Sequence, residues 1–391
     1  MSVNLMQANR QWASRPADER FWSIADAAAA ALATERGTYH LTEQYSDVEV
    51  IPQGEDLALI IPGNSAPATF SHWSFGQFAK KAGAPAGYLA DLPAPLAAEC
   101  LNTGLRKRRN DDAGLFSLAR TDEGITLRAS LSDEFGAIPN SSVFTRAQAL
   151  VDRGWKVPPA RPAVNDPRAR RATEADVSAY AHRSPLSIKV GDMIAPAGVY
   201  ASDRDMFAIL TDETRPVHNP ADPNHPLFRG LMLWNSDVGA RSFGLVTFLY
   251  DVVCGNHIVW GATEVNEFRT YHRGSDAERR AFARMAEVAM NYAEGSATGI
   301  EAAIVGAQQR LIASTLDEIP ELVTSKRQLS PILSKRLVKE AIEIAVSSDR
   351  YGDPRSPWAL SQGLTELSQR NGNTNDRTEI DRAAGRILDL F

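Results

Sequence analysis

The stretch FRGLMLWNSDVGARSFGLVTFLYDVVCGNHIVWGA, residues 228–262, joins two apolar runs that are rich in β-branched and aromatic residues. Glycines interrupt both runs. This composition favours strands over helices. The stretches 186–213 and 264–273 have the same character, so the sequence predicts a β-rich core over residues 185–274.

The sequence on either side of this core has a different character. Residues 1–152 mix short strand and helix patterns, including a hairpin pattern around the turn TDEG, and predict a small mixed domain. Residues 153–184 are basic and rich in proline, which predicts a linker or a long loop. Residues 275–391 are predicted to be helical, beginning with a capping box of Ser275 and Glu278. The expected fold class is therefore α+β, with a small mixed N-terminal domain, an antiparallel β-rich core and a helical C-terminal region.

The overall charge limits the classes of partner. The chain has 391 residues and a formal net charge of -6. A protein that binds nucleic acid over its whole surface is usually basic, so any such binding must come from a local patch. Two cysteines, Cys100 and Cys254, are too few for a disulfide scaffold and fit a reducing compartment. The sequence shows no signal-peptide pattern and no apolar run long enough to cross a bilayer, so no membrane partner is expected.

Cys254 and His257 stand close together inside the core stretch and raise the question of a metal site or a nucleophile. Zinc needs three or four ligands, and no other histidine or cysteine forms a pair at short spacing. On a strand, residues three apart point to opposite faces. Apolar neighbours favour a buried core role for Cys254. The sequence therefore predicts no metal, no cofactor and no catalytic residue, and it leaves the role of His257 open.

Basic and aromatic residues cluster at three places and predict a surface for unpaired nucleic acid. Cations neutralise phosphates, and aromatic faces stack on exposed bases. The residues expected to contact phosphates or line a groove of the β-rich core are Arg106, Lys107, Arg108, Arg109, Arg168, Arg170, Arg171, Arg241, Arg269, His272 and Arg273. Trp155 and Tyr271 are expected to stack on bases. Each cluster by itself also fits a solvated helix end or loop, so their combination carries the prediction.

Residues 229–274 resemble the core signature of the phage/plasmid-like protein family, a family of unknown function found in bacteriophages, prophages and plasmids. The matching positions are Asn235, Ser236, Asp237, Gly239, Val253, Cys254, Asn256, Arg269 and His272. The chain departs from many members after Asn-Ser, where it reads Asp-Val-Gly-Ala, and after Cys-x-Asn, where it reads His257-Ile258. Weaker similarity extends over residues 14–273. The resemblance implies a mobile-element protein in the cytoplasm of a bacterial host, and it does not imply a particular reaction.

Three functions are open at this point. The first is a non-enzymatic protein of phage or mobile-element DNA metabolism, which would bind single-stranded DNA as a homo-oligomer and anneal complementary strands. The second is a metal-dependent enzyme of nucleic-acid or nucleotide chemistry, with its metal at Asp203, Asp205 and Asp237 or at His257 and His272. The third is a scaffold or host-interaction protein without a nucleic-acid role. The clustered cations and aromatic residues favour the first function.

Overall fold

The computed structural model describes residues 19–107, 112–157, 161–162, 166–179, 188–196, 198–220, 222, 226–251, 256–258, 268–295, 297–370 and 374–391. The helices are α1 (Ile24–Arg36), α2 (His72–Ala82), α3 (Ala86–Ala90), α4 (Ala94–Arg106), α5 (Asn140–Val151), α6 (Glu174–Ala179), α7 (Ala277–Glu294), α8 (Ala297–Gln309), α9 (Ile319–Ser325), α10 (Lys335–Val346), α11 (Pro357–Arg370) and α12 (Thr374–Leu390). The strands are β1 (Thr38–Gln44), β2 (Glu49–Gln53), β3 (Asp56–Ile60), β4 (Ala68–Phe70), β5 (Ala113–Thr121), β6 (Gly124–Ser132), β7 (Trp155–Lys156), β8 (Arg161–Pro162), β9 (Arg170–Arg171), β10 (Met193–Ala195), β11 (Val199–Ala201), β12 (Met206–Val217), β13 (Leu227–Asn235), β14 (Phe243–Asp251), β15 (Asn256–Ile258) and β16 (Phe268–Thr270).

The N-terminal strands form a first sheet with the order β1-β5-β6-β4-β3-β2. The β4–β6 pair is parallel and the other neighbours are antiparallel. Helices α2 and α4 pack on this sheet, and Phe78, Leu101 and Phe116 are fully buried between the two layers. The apolar positions recur at helical spacing in the helices and at alternate positions in the strands, so both present one apolar face to a shared core.

The second sheet corresponds to the predicted β-rich core. Its strands follow the order β11-β12-β13-β14-β15, with β7 beside β12 and β16 beside β14. The long pairs of β12, β13 and β14 are antiparallel. Helices α1, α5 and α7 contribute to the hydrophobic core on this sheet, where Leu210, Leu233 and Phe243 have no exposed surface. A smaller sheet, β8-β10-β9, is formed from the proline-rich segment and β10.

The two main sheets meet along a seam that is made by the loop between β13 and β14. The carbonyl oxygen of Val238 accepts hydrogen bonds from Trp73 Nε1 at 3.0 Å and from Gln77 Nε2 at 3.1 Å, both on α2. Phe135, just after β6, forms an antiparallel bridge with Arg273, just after β16. The seam therefore brings together segments that lie far apart in the sequence.

The C-terminal helices form a separate hydrophobic cluster and attach to the end of the second sheet. Leu360, Leu364 and Ala384 are fully buried within the helical cluster. Trp358 on α11 and Ile304 on α8 pack with Val217, Leu227 and Leu249 of the sheet, which joins the helices to the strands. Within the described residues, no helix combines the length and the apolar character needed to cross a lipid bilayer.

The predicted α+β class is confirmed, because the described residues are 43% helix and 26% strand, with an antiparallel-rich sheet core and helices at the C-terminus. The hairpin around TDEG is the β5–β6 pair, and the C-terminal region that is predicted to be helical contains α7 to α12. The boundaries of the four predicted regions stay a prediction.

Two local predictions are wrong. The capping box of Ser275 and Glu278 does not form: α7 begins at Ala277 with Asp276 as its N-cap, and no side chain caps the helix. The Asp276 carboxylate instead pairs with Arg279 and Arg280 in the first turn. The four prolines of residues 153–172 predict no regular element there, yet the described residues of this segment include the short strands β7, β8 and β9, and β7 pairs with β12.

Candidate nucleic-acid interface

An open cleft of about 640 Å³ lies at the seam between the two sheets. We call it the seam cleft. Its lining residues are Gln77, Ser130, Leu131, Ser132, Glu134, Phe135, Gly239, Arg241, Tyr271, His272 and Arg273. Four residues of the predicted nucleic-acid surface, Arg241, Tyr271, His272 and Arg273, therefore line one cleft.

Backbone contacts hold the two walls of the seam cleft together. Gly136 N donates to the carbonyl oxygen of His272 at 3.2 Å, and Gly274 N donates to that of Glu134 at 3.0 Å. A β-carbon at Gly136 would lie 2.1 Å from the carbonyl oxygen of Gly274, a distance that no side chain permits. The close approach of these two backbones places residues 271–273 on a rigid support rather than on a loose loop.

Tyr271 and Arg273 present their side chains to solvent at the cleft. Tyr271 is 77% exposed, which is the most of any large hydrophobic residue in the described chain. The Arg273 side chain is 75% exposed and forms a 2.8 Å ion pair with the side chain of Glu134, which is 62% exposed. An exposed ion pair contributes about 0–1 kcal/mol, so Arg273 can exchange its carboxylate partner for a phosphate at little cost.

His272 contributes an apolar face rather than a charge. Its ring stacks on Phe135 with a centroid separation of 5.0 Å and an interplanar angle of 3°. Burial lowers the pKa of His272 from 6.5 to about 4. The imidazole is therefore neutral at pH 7 and does not add to the positive charge that the sequence predicts here.

We expect this buried histidine to make the folded state sensitive to acid. The unfolded chain binds a proton at His272 near pH 6.5, whereas the folded chain does so near pH 4, so stability falls as the pH is lowered through this window. The variant His272→Phe keeps the stack and cannot titrate. Urea unfolding at pH 7, 6, 5 and 4 should show a smaller loss of stability for the variant, and equal losses would contradict the assignment.

Arg241 is held in place by a buried carboxylate. Its Nε donates to Asp205 Oδ2 at 2.9 Å, and Asp205 has no exposed surface. The Arg241 guanidinium also lies 5.0 Å from the centroid of the Phe207 ring. Its charge is therefore largely balanced by Asp205, and its role in the cleft is to form a fixed polar wall. Arg269 on β16 is exposed and lies over Trp234 at 5.9 Å.

Two residues of the resemblance motif, Asn235 and Ser236, hold the seam together from inside the protein. Asn235 is fully buried and its Nδ2 donates to Ile138 O and Asn140 Oδ1, both at 2.8 Å. Ser236 Oγ donates to Arg204 O at 2.6 Å and accepts from Ala240 N at 2.8 Å. The bond from Ala240 closes the turn between β13 and β14, and the other three fasten this turn to residues 138, 140 and 204.

The next motif residues fasten this turn to the first sheet. Asp237 accepts hydrogen bonds from Arg128 on β6, with both carboxylate oxygens 3.2 Å from Nη2. Gly239 has a φ of +77°, which disfavours any residue with a β-carbon. Cys254 lies outside the described residues, and Asn256 lies on β15.

Several predicted residues lie elsewhere or do not fit the expected role. The prediction that Trp155 stacks on bases is wrong, because Trp155 is 3% exposed and packs in the core of the second sheet. Arg106 pairs with Glu99 on α4, a helix that packs against β2. Lys107 is exposed next to it, and Arg108 and Arg109 lie outside the described residues.

The basic residues near β9 form a second site of cation–aromatic contacts. Arg170 lies 4.2 Å from the centroid of the Trp22 ring and binds both oxygens of Asp176, at 2.6 and 2.7 Å. Arg168 lies 5.8 Å from the Phe21 centroid. Arg171 donates to the carbonyl oxygen of Gly191 at 3.1 Å. These cations are engaged within the protein, and none of them lines the seam cleft.

The three aspartates of the second hypothesis do not lie in one cavity. Asp203 and Asp237 line a second cavity of about 430 Å³, whereas Asp205 faces Arg241. In the part of the chain that is described, no group of three or more His, Cys, Asp or Glu side chains could hold a metal ion. His257 lies on β15, and its side chain is outside the part of the structure that is described.

Sequence reasoning missed Glu134 and Phe135. No local pattern marks either residue, because their importance comes from the bridge between Phe135 and Arg273. The only signal was the polar turn SDEFG after a strand pattern, which is typical of many surface loops.

No protein-family model, no curated protein and no solved structure matches this chain. The resemblance to the phage/plasmid-like family therefore stays a prediction.

Proposed function

We propose that the chain binds single-stranded DNA in the seam cleft. The observation that carries the proposal is the side chain of Tyr271, which is 77% exposed at an open cleft beside the exposed guanidinium of Arg273. A large aromatic residue held in solvent loses hydrophobic stabilisation unless a ligand covers it. An unpaired base covers it by stacking, which contributes about 1–3 kcal/mol per base.

The other groups of the cleft suit the same ligand. Arg273 supplies a cation for the phosphate that follows a stacked base, and Arg269 extends the positive charge along β16. The Phe135–His272 stack gives a neutral apolar floor for the face of a base or a sugar. A paired duplex keeps its bases inside, so this arrangement favours unpaired strands.

Fluorescence anisotropy with a labelled single-stranded oligonucleotide tests the proposal. We expect saturable binding at low salt and a linear fall of log K with log salt concentration, with a slope of about −0.7 for each phosphate neutralised. An unlabelled duplex of the same sequence should compete poorly. Absence of binding at low salt, or binding that salt does not weaken, would contradict the proposal.

Two variants with matched controls locate the binding to the cleft. Tyr271→Ala should weaken binding about 5- to 100-fold, because one stacking contact is lost. Tyr88→Ala is its control, since Tyr88 is 63% exposed on α3.

Arg273→Ala should lower the salt slope by about 0.7. Arg336→Ala is its control, because Arg336 and Glu340 form an exposed pair at 2.8 Å like that of Arg273. Equal losses in variants and controls would refute the location.

The wider role that we propose is in the DNA metabolism of a phage or another mobile element, including the annealing of complementary strands. It is supported by the resemblance of residues 229–274 together with a cleft that favours unpaired bases. A strand-annealing assay with complementary oligonucleotides tests it. Annealing no faster than without protein would restrict the role to binding.

A further inference from the structure

The two edge strands of the first sheet, β1 and β2, differ in the hydrogen bonds that their outward-facing backbone groups make. At the β2 edge, the side-chain amide of Asn102 accepts from Val50 N and donates to Val50 O, both at 2.8 Å. Pro52, two residues after Val50, has its backbone on the same outward side of β2 and has no N–H to donate. This edge is therefore closed to another strand, as is usual for the edge strands of soluble proteins.

The β1 edge has no such protection. Gly37 O accepts from Arg120 N at 2.9 Å and Tyr45 N donates to Asp112 O at 3.2 Å, so these odd-numbered positions face β5. Because strand positions alternate, the backbone groups of Thr38, His40, Thr42 and Gln44 face away from β5. Within the described chain, β1 hydrogen-bonds to β5 on one side and to no strand on the other.

The side chains of β1 also suit an additional strand. Tyr39 and Leu41 are half-buried and pack on the edge of the first hydrophobic core, which ends at this strand. Glu43 is the only Asp, Glu, Lys or Arg residue of β1. Exposed edge strands usually carry more charged side chains, which hinder pairing with another strand.

We propose that β1 pairs with β1 of a second copy of this chain, in an antiparallel arrangement around a two-fold axis at Leu41. In the register that uses the whole strand, Thr38 faces Gln44 of the other copy, and His40 faces Thr42. These are the outward-facing positions, so each of these pairs exchanges two backbone hydrogen bonds. Glu43 faces Tyr39, and no like charges oppose each other.

The two-fold axis also extends the hydrophobic core. Leu41 meets Leu41 of the other copy at a position without hydrogen bonds, where α-carbons lie about 4.5 Å apart and side chains touch. The two half-buried Leu41 side chains would then cover each other and part of the nearby Tyr39 side chains. The first sheet becomes continuous through two copies, and the interface is isologous, which closes the assembly at a dimer.

The solution mass of the full-length protein tests this interface. Wild type should have twice the chain mass of 42.6 kDa by light scattering at about 20 µM. Thr42→Pro removes one outward N–H and leaves the bonds to β5 intact, so it should have the single-chain mass. Thr42→Val keeps the N–H and should remain a dimer. Circular dichroism spectra that match between the two variants would show that both are folded.

A disulfide experiment tests the register independently. In a chain with Cys100→Ser and Cys254→Ser, Leu41→Cys should form a covalent dimer on mild oxidation, because the two α-carbons lie within disulfide range. Glu43→Cys is the matched control: its symmetry mate would be four residues away along the strand, about 13 Å, so it should not crosslink. A single-chain mass for wild type, a dimeric Thr42→Pro, or equal crosslinking of both cysteine variants would overturn the proposal.

Discussion

Replacing Asp205 by alanine is expected to lower the free energy of unfolding by about 3–5 kcal/mol. The Asp205 carboxylate has no exposed surface and accepts from Arg241 Nε at 2.9 Å. It also lies 3.4 Å from the guanidinium of Arg204, which is itself mostly buried. Removing the carboxylate leaves two guanidinium groups near the seam without their anionic partner, and the desolvation of those groups is no longer offset.

Chemical unfolding in urea, followed by circular dichroism, measures this loss as a shift of the transition midpoint. Asp203→Ala is the matched control, because Asp203 lies in the same turn and is exposed. Its expected effect is within about 0.5 kcal/mol. If both aspartates gave the same small change, the buried ion pair would not stabilise the seam.

Replacing Gly363 by alanine is expected to destabilise the C-terminal helices by about 3 kcal/mol. A β-carbon at Gly363 on α11 would lie 2.2 Å from the carbonyl oxygen of Ala341 on α10. That neighbour is backbone within a helix, so it cannot rotate away as a flexible side chain could. The two helices would have to separate, and the packing of Leu364 and Ile342 in the same cluster would loosen.

Gly306→Ala on α8 is the control with the opposite sign. No atom lies within 4 Å of a β-carbon at this position, so alanine fits without a clash. Alanine is the better helix former by about 1 kcal/mol, and we expect the midpoint of thermal unfolding to rise. A stabilising effect of Gly363→Ala would show that α10 and α11 are further apart than the 2.2 Å approach to the Ala341 carbonyl oxygen implies.

The elements predicted correctly are those whose signals are local. The β5–β6 hairpin follows from alternating apolar residues around the turn TDEG. The capping box at Ser275 failed although it is also a local pattern, because α7 begins at Ala277 and Asp276, not Ser275, stands at its N-cap. Local patterns identify elements better than they identify the residue at which an element begins.

The candidate site was predicted in part. The run Arg269 to Arg273 was recognised because cations and an aromatic residue are adjacent in the sequence, and the structure exposes Tyr271 and Arg273 as expected. Trp155 was chosen on the same basis and lies in the core, because pairing of β7 with β12 turns its side chain inward. Composition cannot distinguish an exposed aromatic residue from a buried one.

The sequence alone determined the class of the fold, the order of its β-rich and helical regions and the residues at positions 271–273 that present an aromatic ring and a cation. These depend on patterns within short segments. Only the tertiary structure placed Glu134 and Phe135 against Arg273 and His272 and paired the buried Asp205 with Arg241. It also left the outward backbone of β1 without a neighbouring strand among the described residues. Contacts between distant segments depend on how the sheets pack, and packing is settled by the shape and burial of the whole core rather than by any one stretch of residues.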